Sequence, residues 1–350
     1  MDKKKQMKFN VNNFLLATTT ILDAREMQYH NISENHSLRV AYIALQIAQK
    51  LQYEPKEMFD LCGYALFHHY IGAEKQHLLR IEDKENKLSN LIDFVHTLEE
   101  KYDFSKKNID NREIILNVST RMIENEEYKN IFCEITDTID FWLDCQTKEM
   151  MLQYIYTSLY DFTVILDFEE ILEITSMFGG LYEEVNPFLE KCKKMTQYYQ
   201  FEEKDEYTFL IAATLLHFGK LAIDEKIIQK IEPLTKVEYE EIKSNVYYTK
   251  NALRAIYGFD DISKWASRHQ EKLNGKGYPS KLEASQLSLK DRLMSSLNIY
   301  HSLMSNKSYR EKLSHDKSIE LILNKVDKYE IDKAIVDDID FVFRKKVNIK

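Results

Sequence analysis

The feature that most constrains this chain is its shortage of chain breakers: 350 residues carry only 8 glycines and 4 prolines. Ordinary usage is roughly 7% and 5%. Sandwiches, barrels and propellers spend these two residue types at their many turns. A chain this poor in them is predicted to be all-α, built of long helices. Its length allows two domains of ordinary size, each with its own core. The hydrophobic fraction is 44%, with 22 Tyr and 18 Phe, enough to exclude disorder. A net charge of −9 gives no broad footprint for DNA. The four cysteines, Cys62, Cys133, Cys145 and Cys192, form no CxxC pair, so neither a disulfide framework nor a zinc ribbon is expected. No run of about 18 apolar residues occurs, so no membrane span is expected. The basic run Met1–Lys5 before apolar Phe14–Leu22 has the outline of a signal sequence, but Thr18, Thr19 and Thr20 interrupt it and no small-residue cleavage site follows. The expectation is a soluble, cytoplasmic protein with a solvated basic start.

Apolar residues at helical spacing (Val40, Ile43, Ala44, Ile47, Ala48, Leu51) predict an amphipathic helix over 36–52, and Pro55 opens a second to Phe67. Helices are predicted at 186–200, 209–216, 235–256, 261–270 and 288–304, with an acidic break at Glu202–Glu206. Gly179-Gly180, the only double glycine, marks the best internal break and divides the chain into 1–178 and 179–350. The two parts share a pattern. An apolar helix ends in His68-His69 with Gly72 behind, and another ends in His217 with Gly219 behind. Thirty-two residues before His68 stands His36; thirty-two before His217 stands Val185, also opening a helix pattern. This reads as two diverged copies of one helical unit.

The repeat resembles the HD superfamily of metal-dependent phosphohydrolases, and its second copy resembles the HD-GYP branch, the bacterial cyclic di-GMP phosphodiesterases. Ordered motifs carry the resemblance: Leu216-His217-Phe218-Gly219-Lys220; Leu234-Thr235 followed by Glu240-Glu241-Ile242-Lys243; His269-Gln270-Glu271; Asn274-Gly275-Lys276-Gly277-Tyr278-Pro279; Arg292; and Ser308-Tyr309-Arg310. The resemblance implies two tandem HD-type helical bundles, a centre holding divalent metal, and a cyclic dinucleotide or a second signalling domain as partner. Two metals suit phosphodiester hydrolysis because they lower the pKa of a bridging water and clamp the phosphate.

Against that scheme the second copy is depleted. His217, His269 and Glu271 stand as relic ligands, and Lys220 as a relic phosphate contact. Where the resemblance implies His or Asp, the chain has Val185, Phe218, Asn245, Gln270 and Asn298. The first copy keeps His36 and His68, with His69 in place of the Asp of the doublet, and Asp93 as a late carboxylate. These four are the candidate ligands of one divalent ion, Zn, Fe or Mn; the alternative is that the histidines are relics in a polar core and no metal is held. Gly275, Lys276, Gly277, Tyr278 and Pro279 form either a docking loop or a turn that the fold still needs. The expected function is a non-hydrolytic regulator that binds a nucleotide or a partner. The alternative is a weak phosphodiesterase.

Overall fold

The computed structural model describes residues 6–29, 32–67, 70, 79, 81–83, 86–106, 126–159, 164–306 and 310–344. His68, His69, Gly72, Ser308 and Tyr309, all singled out by the sequence, lie outside the described residues. The described chain is helical apart from two strands of four residues each, β1 (Gln6–Phe9) and β2 (Val164–Asp167), which pair with each other. It divides into two compact units: residues 9–164, and residues 165–350 together with residues 1–8. The helix Phe168–Gly179 thus belongs to the second unit, whereas a boundary at 178/179 places it in the first. The double glycine ends that helix, while the division falls at β2, which carries no glycine or proline.

The first unit contains α1 (Val11–Tyr29), α2 (His36–Lys50), α3 (Pro55–Phe67), α4 (Lys87–Tyr102), α5 (Glu126–Ile135), α6 (Ile139–Asp144) and α7 (Lys148–Ser158). Helix α2 is its axis, contacted by α1, α3, α4, α5 and α7. It is buried on every side from His36 to Ala48 except at Gln46, so the predicted helix is present but is enclosed in the core rather than amphipathic. Polar Ser37 and Arg39 are therefore buried too and must find partners.

The second unit contains α8 (Phe168–Gly179), α9 (Asn186–Tyr198), α10 (Glu203–Thr214), a 3₁₀ turn (Phe218–Ala222), α11 (Glu225–Ile228), α12 (Lys236–Arg254), α13 (Asp260–Ser267), α14 (Leu289–Met304), α15 (His315–Val326) and α16 (Lys333–Phe343). The acidic stretch Glu202–Glu206 is not a break. Glu203, Asp205 and Glu206 lie in the first turn of α10, where their charges meet the exposed N–H groups of a helix start. Capping boxes start three α-helices of this unit: Asp167 with Glu170, Thr235 with Glu238, and Ser288 with Asp291. The Leu234-Thr235 motif is thus a helix start. Glu238 also receives Lys230 at 2.7 and 2.8 Å, and that ammonium with Thr235 lowers its carboxyl to about 2.

Both units begin alike. Each opens on three helices, and the third packs on both others: α3 on α1 and α2, α10 on α8 and α9. His36 is the first residue of α2, and Val185 is the N-cap of α9. The repeat read from the sequence is therefore matched by the order and packing of the helices.

Candidate functional site

In the second unit, α10 ends at Thr214 and the 3₁₀ turn that follows lies against α12. Gly219 makes this approach feasible: its N–H donates to Thr249 Oγ1 at 2.9 Å, and a Cβ there would stand 2.0 Å from the carbonyl oxygen of Asn245. Only glycine fits. The turn sets His217 in the lining of a cavity of about 600 Å³. Its polar lining includes Lys220, Lys230, Glu232, Gln270 and Asn298, while Ile223, Ile227, Ile228, Leu234 and Ile242 supply an apolar wall. His217, Lys220, Gln270 and Asn298, which the sequence placed at one site, are thus brought together. Tyr182 lines the same cavity, with Lys220 Nζ 4.9 Å from its ring centre.

The two imidazoles of this site stand edge to face, 5.5 Å between ring centres. Each is oriented through Nδ1. His217 Nδ1 meets the Glu183 carboxylate, and His269 Nδ1–H donates to the carbonyl of Ala266 at 2.7 Å. Burial, with His217 and Lys220 nearby, lowers His269 to about 3, so its ring is neutral and Nε2 carries a lone pair. That nitrogen is buried with no hydrogen-bond partner among the described residues, and so is Asn245 Oδ1. Such orientation through Nδ1 is what metal-ligating histidines need.

The rest of the donor set does not fit a two-metal centre. Phe218 is buried, its ring 6.0 Å from that of Phe178, so the place where the resemblance implies a bridging carboxylate is packed with hydrocarbon. Asn245, Gln270 and Asn298 offer only neutral amides. Both carboxylate oxygens of Glu271 are engaged: Oε1 accepts from the N–H of Ser280 at 2.7 Å and Oε2 from that of Leu282 at 3.0 Å. Glu271 therefore holds the following loop and is not presented as a ligand. No group of three or more His, Cys, Asp or Glu among the described residues could hold a metal ion.

The Gly275–Pro279 loop folds back on the segment before it. The N–H of Tyr278 donates to the Gln270 carbonyl at 3.2 Å, and a Cβ on Gly277 would lie 2.5 Å from Glu271 Cα. Gly275 has φ +68°, and the N–H of Lys276 donates to Asn274 Oδ1 at 3.1 Å. Tyr278 is half-buried and Lys276 exposed. These contacts give each glycine and Glu271 a structural task. The same holds for Arg292, which bonds the Leu287 and Ala284 carbonyls and Asp332, and for Arg310, which bonds the Ser302 and Leu303 carbonyls at the end of α14.

In the first unit the structure surrounds His36 with residues the sequence left unassigned. Its Nδ1 meets Glu99, its ring stands edge to face with His96 at 4.9 Å, and Arg39 Nε donates to the same Glu99 at 2.5 Å. Asp93 is exposed on α4, while Glu99, buried and six residues further on, is the carboxylate that faces His36. Arg39 on Glu99 places a fixed positive charge in this cluster. Glu183 and Glu99 were missed for one reason: each pairs with a histidine far along the chain, and no local spacing marks it.

Comparison with known proteins agrees with this architecture. The HD domain family model matches residues 168–335. The chain is 30% identical over 115 residues to a 3'3'-cGAMP-specific phosphodiesterase 3 of Vibrio cholerae, covering 33% of this chain and 25% of that protein. It is 22% identical over 180 residues to 3'3'-cGAMP-specific phosphodiesterase 1 of the same organism, covering 49% and 42%. It is 29% identical over 134 residues to the cyclic di-GMP phosphodiesterase PdeB of Borreliella burgdorferi, covering 36% and 34%. The matches thus span less than half the length of these curated relatives. A crystal structure of a cyclic GMP-AMP specific phosphodiesterase of V. cholerae superposes with a TM-score of 0.57 at 14% identity, over 96% of this chain and 98% of that one. Residues 168–335 thus match an HD domain, and the chain is similar to phosphodiesterases of the HD-GYP type.

Proposed function

We propose that the chain is a signalling protein of the HD-GYP type whose second unit has kept its ligand cavity and lost its hydrolytic centre. In this reading it is a degenerate HD-GYP domain that binds a nucleotide, a cyclic dinucleotide being the class its relatives act on, without cleaving it. The observation that carries the reading is Phe218, whose buried ring fills the place of the carboxylate that would bridge two metals. The cavity keeps what binding requires. Lys220 can neutralise a phosphate oxygen, amides can hydrogen-bond a polar edge, and the isoleucine wall can pack on a ring.

A single divalent ion (zinc, iron or manganese) is assigned in this reading to the first unit, through His36 with His68 and His69. A second reading is a weak phosphodiesterase that uses one metal at His217 and His269, favoured by the paired Nδ1 contacts of these two rings. The Gly275–Pro279 loop, with exposed Lys276, is the candidate contact for a partner signalling domain.

Incubation with cyclic di-GMP and 3'3'-cGAMP in the presence of Mn, Fe or Zn, followed by chromatography, separates the two readings. The proposal expects saturable binding with the ligand recovered intact. Metal-dependent linear product that disappears in His217→Ala would put the enzyme reading first.

A further inference from the structure

Away from the cavity, one lysine of the second unit is held differently from its neighbours. Lys230, Lys272 and Lys290 are each largely enclosed, and each pairs with a carboxylate: Glu238, Glu330 and Asp205. Lys191 on α9 is half-buried, and no carboxylate lies within ion-pair reach of it among the described residues. Its Nζ donates instead to the Pro187 carbonyl oxygen at 2.9 Å and lies 3.3 Å from Nδ1 of His301, on α14.

The hydrogen bonds fix which nitrogen of His301 carries the proton. Ser305 Oγ lies 2.8 Å from the His301 carbonyl oxygen, which can only accept, so the hydroxyl proton is spent there. The same Oγ, 3.3 Å from Nε2, is then left to accept, and the ring proton sits on Nε2. Nδ1 keeps its lone pair and turns it to the Lys191 amine. The ring packs on Phe188, 5.1 Å between ring centres, and His301 is buried. A nucleophile beside a base, with the base oriented by a third group, is the arrangement that activates serine and cysteine for attack on an acyl carbon. Here an amine takes the nucleophile's place. An ordinary lysine is held back at neutral pH by its proton. Burial lowers the pKa of Lys191; of the other groups acting on it, all on its own helix, Lys194 lowers it too, while Cys192 and Glu190 oppose.

We propose that Lys191 is a modification site, acylated directly by activated acyl groups (acyl phosphates or acyl thioesters), with His301 as the base and Ser305 as the residue that positions it. In the neutral amine the two N–H bonds go to the Pro187 carbonyl and to His301 Nδ1, and the lone pair points away from both. That pair attacks the acyl carbon and forms the C–N bond. The acyl C–O or C–S bond breaks, and its electrons leave with phosphate or thiolate. The proton lost from nitrogen passes to His301 Nδ1, and the product is an uncharged Nε-acyl-lysine.

Incubation of the full chain with acetyl phosphate, and separately with acetyl-coenzyme A, followed by peptide mass spectrometry, tests this. Lys193, exposed on the same helix, is the internal reference. With at least one donor, Lys191 is expected to acetylate at least about tenfold faster than Lys193, and the donor that works distinguishes an acyl phosphate from a thioester. The Lys191 rate should level off below the pH at which ordinary lysines ionise. His301→Gln should erase the advantage over Lys193, and Ser305→Ala should reduce it. Melting temperatures close to wild type establish that the variants are folded, and Ser305→Ala serves alone if His301→Gln is not. Acetylation of Lys191 no faster than that of Lys193 with both donors, or an advantage that survives in the folded variants, overturns the inference.

Discussion

The two units are built on the same opening of three packed helices, yet they treat their histidine in opposite ways. In the first, His36 is sealed inside the core. The carboxylate it meets, Glu99, is 2% exposed and shared with Arg39, which is equally buried. In the second, His217 is 14% exposed and lines a cavity, and its carboxylate, Glu183, is 30% exposed. One copy holds its histidine in a buried pair with Glu99. The other has kept its histidine facing open space, where a ligand can reach it. Divergence between repeats is thus visible less in which residues remain than in whether solvent can touch them.

The largest expected effect separates the two carboxylates. Glu99→Ala leaves a buried guanidinium uncompensated and should cost about 3–5 kcal/mol. Glu183→Ala should cost about 1 kcal/mol or less, because its partner is screened by solvent. Urea unfolding that monitors the two units separately checks this, and equal losses would break the comparison.

Next comes helix approach. A Cβ on Gly179 in α8 would stand 2.0 Å from the Thr214 carbonyl oxygen at the end of α10, a backbone atom that cannot move aside. Gly179→Ala should therefore cost about 3 kcal/mol. In the first unit a Cβ on Gly63 in α3 would meet only the side chains of Ile81 and Asn12, at 3.1 and 3.2 Å. There the helix propensity of Ala, worth about 1 kcal/mol, offsets the crowding. Gly63→Ala should lie within about 1 kcal/mol of wild type, and the same denaturation curves read both variants.

The pH response should differ as well. His269 has a folded pKa lowered from 6.5 to about 3, so the unfolded chain binds the extra proton between those values and stability falls as pH drops through that window. The loss approaches 1.4 kcal/mol per pH unit, hence about 2 kcal/mol between pH 7 and 5. In the first unit two groups oppose each other. Asp23, raised from 3.8 to about 6 by burial, contributes stability that is lost as pH rises through about 6. His96, lowered by burial and by His36, contributes stability that is lost as pH falls. The opposed groups should leave the first unit less steep than the second as pH falls from 7 to 5, and His269→Gln should flatten the second. Melting curves at half-unit pH steps measure this.

The all-helical fold, the repeat and the second unit's motifs were legible because each has a local signature. Missing glycine and proline, apolar spacing, and short ordered motifs around His217 and Gly277 all act through neighbours in the chain. The domain edge at β2 was not legible, because a strand of four residues without breakers leaves no mark. Nor was the burial of α2, since apolar periodicity cannot show that Ser37 and Arg39 are enclosed as well. At the site, the sequence brought His217, Lys220, Gln270 and Asn298 to one place. It could not show that Glu271 spends both oxygens on the backbone of its own loop, nor that Glu99 stands opposite His36 where Asp93 was expected. Those pairings are made by tertiary packing, which spacing does not encode.

Metal content of the purified full chain, grown in medium supplemented with Zn, Fe and Mn, tests the central claim most directly. The account predicts fewer than two ions per chain, with none lost in His217→Ala combined with His269→Ala. Two ions per chain that vanish in that double variant would show that the second unit holds a two-metal centre despite Phe218, and would contradict the account.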